Sequence, residues 1–336
     1  MPRARTVGED LNGALHALLA DDPRAYVLGE DIADPYGGAF NVTKGLTTRF
    51  PDRALTTPIS ESAIVGAAAG LALAGDVAVV EVMFGDFAAL AFDQLVNFAS
   101  KSVSMYGERL PMRMVVRCPV GGGRGYGPTH SQSLQKFFIG VPNLTLYEIS
   151  PFHDCGALLR HAIATGGPCL FFEDKALYGR PVRRDGVVDE VFRFGLVPAQ
   201  PPVAHVYADG VDGDCLLIAG GGTAERCVEA MRSLLAREEI GCDLFVYGRL
   251  YPFDVEPLWP WLSGARAVVV VEEGTAGGTW GAEVAHRIRS TVGGAAPEVR
   301  LVHSLDRVIP AAPHLERLVL VQDDWIHRTV VEALHG

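Results

Sequence analysis

"CLLIAGGGTAERCVEAMRSLLAREE", Cys215 to Glu239, reads as a buried strand, a glycine turn and an amphipathic helix in direct succession. Its apolar opening lacks polar alternation, which suits a strand covered on both faces, and such strands belong to parallel sheets flanked by helices. The same rhythm runs on through "CDLFVYG" (242–248), "ARAVVVVEE" (265–273) and "VRLVHS" (299–304). Upstream it appears as "AYVLGED" (25–31), "VAVVEVMF" (77–84), "MRMVVRCP" (112–119), "LTLYEIS" (144–150) and "PCLFFED" (168–174). Helices fit between these runs at 60–74, 87–104 and 153–165. "YGRPVRRDGVVDEVFRFGLVPAQPPVAH" (178–205) breaks the rhythm with charge, proline and glycine. The expected fold is therefore α/β: two three-layer α/β/α domains, residues 1–185 and 206–336, joined by a linker at 186–205.

Composition limits what such a protein does. The chain has 336 residues, enough for two domains, and 49% hydrophobic against 21% charged residues is the balance of a folded protein. A formal net charge of -11 disfavours nucleic acid as a partner, because phosphate binding needs a basic surface. The longest weakly polar run, Ala63 to Gly75, is too short to span a bilayer and ends at Asp76. "MPRARTVGEDLNGALHALLADD" (1–22) lacks the pattern of a secretory signal. It reads as a helix instead, with Thr6 and Glu9 at capping-box spacing and a stripe of Val7, Leu11, Leu15 and Leu18. Six cysteines form no CxxC pair, so buried free thiols in a cytoplasmic protein are expected. Neither "GGGT" (220–223) nor "GTAGGTWG" (274–281) has dinucleotide-fingerprint spacing, and both read as turns.

"TTPISESAIVGAAAG" (56–70) carries the chemistry. Pro58 precedes a helix starting near Ser60, its expected cap, and Glu61 lies in the first turn, where the helix dipole favours an anion. Gly66, Gly70 and Ala74 fall four apart and share one face, which lets another helix or a ligand come close. Read alone, the segment fits equally an acid that merely complements a helix end.

Its company is more specific. The order "GED…GG…TTPISESAIVGAAAGLALAG…VVEVMFGDFAALAFDQLVNFASK…RCPVGGGRGYGPTHSQSLQKFFIGVPNL…FFEDKALYG" resembles the β subunits of the thiamine-diphosphate-dependent 2-oxo acid dehydrogenases for pyruvate, branched-chain oxo acids and acetoin. "YGRLYPFD" and "VVVVEEGTAGGTWGAEVAHRI" resemble the C-terminal domain that family shares with transketolases, so the likeness covers nearly the whole chain. It implies a pyrimidine-binding domain followed by a transketolase C-terminal-type domain. It further implies that Glu61 bonds a ring nitrogen of the cofactor's aminopyrimidine and drives its amino–imino exchange, for which a dry pocket is needed. Phe87 would stack on the ring with Met83 in the pocket wall, although aromatic residues at this spacing equally serve a core. Asp93 and Gln94 match the family too, with subunit packing as their expected role.

His130 follows a run of glycines in "GGGRGYGPTHSQS" and has Ser131, Gln132 and Ser133 beside it. The resemblance puts it near the substrate channel, as a group for proton transfer or for holding an anionic intermediate. His130→Ala is expected to impair turnover or acyl transfer while leaving cofactor affinity largely intact. Some family members hold a structural monovalent cation such as K+ on main-chain carbonyls, and those positions fall at Met114, Ala162, Ile163, Thr165 and Gly167. "HAIATGG" (161–167) departs from the family's usual acidic and amide residues there.

No GDG occurs in the chain. The family grips Mg2+ and the diphosphate with GDG followed, after a helix, by paired asparagines. A partner must supply that half, which implies an α subunit holding Mg2+ in an α2β2 assembly, with thiamine diphosphate lying between chains. Three functions compete. The first is decarboxylation of a small 2-oxo acid with acyl transfer to a lipoyl acyltransferase. The second is half of a split transketolase-like carboligase, and the third a non-catalytic scaffold. "HSQS" leans to the first, and Glu61 argues against the third.

Overall fold

A computed structural model describes residues 5–335 of the chain. Residues 1–4 of the N-terminal reading and Gly336 lie outside it. Thr6 and Glu9 do form a capping box, with Glu9 N donating to Thr6 Oγ1 at 3.2 Å and Thr6 N to Glu9 Oε2 at 2.8 Å. The helix they start, α1 (Val7–Asp21), buries Val7, Leu11, Leu15 and Leu19, and Leu18 is half-buried.

The first sheet holds β1 (Ala25–Glu30), β2 (Ala54–Thr57), β3 (Val77–Glu81), β4 (Met114–Val120), β5 (Thr145–Glu148) and β6 (Cys169–Asp174). Helix α2 (Glu61–Leu73) connects β2 to β3, and α3 (Cys155–Ala164) connects β5 to β6. The second sheet holds β7 (Phe192–Val197), β8 (Val203–Ala208), β9 (Cys215–Ala219), β10 (Cys242–Val246), β12 (Ala267–Thr275) and β13 (Glu298–Ser304). Its helices are α4 (Gly221–Glu238), α5 (Trp280–Val292) and α6 (Asp323–His335). β11 (Arg249–Tyr251) belongs to the second half of the chain but pairs antiparallel with β5. The first sheet thus runs β11-β5-β6-β4-β3-β1-β2 and the second β13-β12-β9-β10-β8-β7. Strands β3, β4 and β9 are buried along their whole length, which is why they read as unbroken apolar runs.

Several expectations need correction. Residues 186–205 include β7 and most of a hairpin on the edge of the second sheet. β7 and β8 pair antiparallel from Phe192↔Ala208 to Val197↔Val203, so this stretch is not a bare linker. Its prolines, Pro198, Pro201 and Pro202, all fall in the turn between β7 and β8, where no ladder N–H is needed. The continuous helix expected at 87–104 is broken. A 3-10 segment spans Gly85–Ala91, a wide π turn Gln94–Ala99, and a regular turn Ser100–Ser102. Gly85 sits so close to β4 that a Cβ there would lie 2.3 Å from Val120 Cγ1, and this contact brings the chain down onto the sheet before a helix can start. All six cysteines are buried and free.

At the centre of the first sheet Arg117 on β4 is fully buried. It donates to Glu173 at 2.7 and 2.8 Å and to Glu81 at 2.5 Å, and Tyr178 Oη donates to Glu173 at 2.6 Å. Burial alone would lower the Arg117 pKa. The charges of Glu173 and Glu81 outweigh it and raise the pKa, so the guanidinium is locked in its charged form.

Candidate functional site

Carboxyl ends of parallel strands are where α/β sheets bind ligands, because successive loops and helix starts meet there. β1 and β3 are neighbours, with Gly29 opposite Glu81, so the segments leaving them lie side by side. Glu30 ends β1, Glu61 opens α2, and Met83, Phe84 and Phe87 follow β3. Ser60 holds the N-cap position of α2, but its hydroxyl makes no capping bond, contrary to expectation. Glu61 is only 6% exposed and Glu30 3%. Burial raises the Glu30 pKa, and the nearby charge of Glu61 raises it further against a lowering backbone bond from Ser60, so the two acids lie close together. One oxygen of Glu30 has no hydrogen-bond partner among the described residues.

Beside them stands an aromatic cluster. The His130 ring meets Phe84 edge-on at 4.6 Å and Phe87 at 5.2 Å, and Phe84 also touches Phe40, Phe87 and Tyr126 at 5.6 to 5.9 Å. Met83, Phe87 and His130 are half-buried. His130 Nδ1 lies 2.9 Å from Thr129 Oγ1. Gln132 Nε2 donates to Asp86 Oδ1 at 2.8 Å, which ties the loop after His130 to the segment bearing Phe87. The structure therefore brings His130, Met83 and Phe87 onto one strand-end surface, with Glu61 at the neighbouring helix start.

Sequence reading missed Lys175 at the end of β6. It is fully buried, its ammonium lies 5.7 Å over the Phe84 ring, and Nζ has no hydrogen-bond partner among the described residues. Desolvation pushes its pKa down to about 8, against the opposing charges of Asp174, Asp86 and Glu273. The acidic residues that close other strands were missed as well: Glu148 on β5, Asp174 on β6, and Glu272 and Glu273 on β12 line a small cavity of about 20 Å³ between the two sheets. Burial raises Glu148 and Asp174 to about 7. An acid at the end of each of several apolar strands was the signal available in the sequence.

The five positions matched to a monovalent cation gather where α3 ends. Met114 opens β4, Ala162 and Ile163 lie in the last turn of α3, Thr165 is its C-cap, and Gly167 precedes β6. The Ala162 carbonyl accepts from Thr165 Oγ1 at 2.8 Å and the Ile163 carbonyl from Gly166 N at 3.3 Å. No group of three or more His, Cys, Asp or Glu side chains among the described residues forms a metal cluster.

Comparison with known proteins agrees with this architecture. Residues 4–181 match the transketolase pyrimidine-binding domain and residues 206–326 the transketolase C-terminal domain. The chain is 32% identical over 346 residues to the β subunit of the acetoin:2,6-dichlorophenolindophenol oxidoreductase of Cupriavidus necator, covering 100% of this chain and 99% of that one. It is 32% identical to the 3-methyl-2-oxobutanoate dehydrogenase subunit beta of Mycobacterium tuberculosis, over 84% of this chain and 79% of the other. Identity to the mitochondrial pyruvate dehydrogenase E1 component subunit beta of Dictyostelium discoideum is 30%, over 94% and 87%. In fold it is similar to a solved split-gene transketolase described as an inactive β4 tetramer, with TM-score 0.73, 21% identity and 97% of each chain covered. With its two transketolase-type domains and its whole-length likeness to these subunits, the chain belongs to the β-subunit family of the thiamine-diphosphate-dependent 2-oxo acid dehydrogenases.

Proposed function

We propose that this chain supplies the pyrimidine half of a thiamine diphosphate site and works only when an α subunit closes it, decarboxylating a small 2-oxo acid or cleaving a related ketone. The burial of Glu61 beside Glu30 carries this reading. A carboxylate meant only to complement a helix dipole gains nothing from leaving water. One that shares a proton with a weakly basic ring nitrogen needs that dry surrounding. The residues present fit the group: Glu61 for the ring nitrogen, Phe87 for the ring face, Met83 for the wall and His130 toward the substrate. When bound, thiamine diphosphate supplies a carbanion and an electron sink.

Two features favour a partner chain. Ala63, Ala67, Gly70 and Ala74 form an exposed apolar strip along α2, and Ile59 and Leu90 near it are 77% and 62% exposed. A Cβ at Gly70 would meet nothing within 4 Å, whereas one at Gly66 would lie 3.0 Å from Gln94 Oε1. Gly66 is therefore used inside the chain and Gly70 is left for another. The second feature is the missing GDG motif, so Mg2+ belongs to the partner. Acyl transfer to a lipoyl acyltransferase and a K+ ion at the end of α3 complete the proposal.

The test is co-expression with an α chain bearing the GDG and asparagine pattern, then assay with pyruvate, branched-chain oxo acids and acetoin using an artificial electron acceptor. The pair is expected to bind thiamine diphosphate and turn over at least one of these. Glu61→Ala should lower turnover roughly 10²-fold or more. Full activity in Glu61→Ala would remove the carboxylate from the chemistry, and absence of cofactor binding by the assembled pair would sink the whole reading.

A further inference from the structure

The segment that carries His130 lies in the first half of the chain, yet it is fastened mainly by the second. Gly121, Gly123, Gly125 and Gly127 have φ of +87°, +80°, +71° and +79°, a left-handed conformation that only glycine adopts easily. Backbone alternating in this way turns successive N–H groups toward one side and makes a concave anion-binding nest. The anion in it is a side chain of the same polypeptide, Glu316, at the end of a short helical turn (Pro313–Glu316) between β13 and α6. Gly123 N donates to Glu316 Oε1 at 2.8 Å and Gly125 N to Oε2 at 3.0 Å, so both carboxylate oxygens are used. Glu316 is 1% exposed. Packing follows the bonds: a Cβ at Gly122 would lie 2.3 Å from Leu320 Cδ1, and one at Gly125 3.2 Å from the Ala311 carbonyl.

Glu273, from the end of β12, holds the segment at two further points. It accepts from Gly122 N at 2.8 Å and from Ser133 Oγ at 3.4 Å, one upstream and one downstream of His130. Lys136 then caps the carbonyls of Thr275 and Ala276 at 3.0 and 3.1 Å. Between these anchors Tyr126 and His130 pack on Phe84. A run of glycines loses more conformational entropy on ordering than any other sequence, so its native path requires strong local restraint. Hydrogen bonds from N–H to a buried carboxylate are of the strong, charge-assisted kind.

We propose that Glu316 is a positioning residue for His130: its carboxylate, seated in the nest of residues 121–127, lets the C-terminal domain set where the histidine stands over Phe84 and Phe87. The C-terminal domain then contributes to the reaction as well as to assembly, through a residue that touches neither substrate nor cofactor. This rests on the proposed function in that His130 is taken to face the substrate.

The experiment uses the chain co-assembled with its α partner and compares Glu316→Ala, Glu316→Gln, Gly125→Ala and His130→Ala. Hydrogen exchange read on peptides covering 121–127 is expected to quicken roughly tenfold or more in Glu316→Ala and Gly125→Ala. Thiamine diphosphate Kd should stay within about twofold, while kcat falls roughly 10- to 100-fold with KM little changed, as for a small misplacement of a reacting group. Glu316→Gln keeps one acceptor oxygen and should recover part of the loss. Adding Glu316→Ala to His130→Ala should lower kcat less than about twofold further, because residues that act through one another are not additive. Unaltered exchange at 121–127 in both Glu316→Ala and Gly125→Ala would overturn the clamp. A fully additive double variant would assign Glu316 to general stability and overturn the positioning role. So would undiminished turnover in His130→Ala, and turnover lost in a Glu61→Ala control of the same assembly would then show that the proposed function itself still stands.

Discussion

Glu148 shows how burial turns an ordinary carboxyl into a pH-dependent element of stability. It accepts from Gly222 N at 2.6 Å and from Gln135 Nε2 at 3.0 Å, but desolvation dominates and raises its pKa from 4.5 to about 7. A folded-state pKa above the unfolded value means that the neutral form is favoured in the native protein. The stability it contributes is complete below about pH 4.5 and is lost as pH rises through about 7. Glu148→Gln keeps the shape and an acceptor for Gly222 while removing the charge. Its stability advantage over the parent, read from urea midpoints, should grow between pH 5 and pH 8 by on the order of 1–3 kcal/mol. An advantage that does not change with pH would show that Glu148 is already ionised in the native state. Lys175 follows the same physics with the opposite sign, since desolvation beside the Phe84 ring lowers its pKa to about 8.

Among the elements, the start of α4 is set by contact rather than by capping. Gly220 is its N-cap without a side-chain bond, and a Cβ on Gly221 would lie 1.7 Å from the Ile149 carbonyl. The glycines in "GGGT" are thus neither a phosphate cradle nor a free turn; they allow this helix of the second sheet to abut the end of β5 in the first. Gly221→Ala should destabilise the chain by about 1–3 kcal/mol, the usual cost of overpacking a tight contact. An unchanged thermal midpoint in that variant would mean the two halves separate readily there. The broken helix at 85–102 is the complementary case. Its sequence has helical periodicity, but the approach of Gly85 to β4 and the burial of Asp86 against Gln132 decide its path.

For the molecule as a whole, β11 is the decisive exchange between halves. It covers the outer edge of β5 with Arg249↔Tyr147 and Tyr251↔Leu146, so the first sheet is finished by the second half of the chain. A fragment ending near residue 200 would leave that edge unpaired, and unpaired edges template association. Sedimentation of such a fragment should show self-association or incomplete folding, whereas a well-behaved monomer would show that the strand is dispensable. The same interlocking explains the placement of Glu273 and Glu316. Both come from the second half and both hold a loop of the first.

Local chemistry was legible without coordinates. Apolar runs named the central strands because strands buried on both faces have no polar alternation. Thr6 and Glu9 named a helix start because a capping box is satisfied within four residues. Glu61 stood out through its position before a small-residue helix. Tertiary structure alone decided which acids matter together. Glu30 with Glu61, and Glu316 with Gly123, meet only because parallel strands and an interdomain contact carry distant residues to one place. No periodicity encodes a hydrogen bond between residues 193 positions apart. Its energy depends on a burial that exists only once both halves have folded against each other.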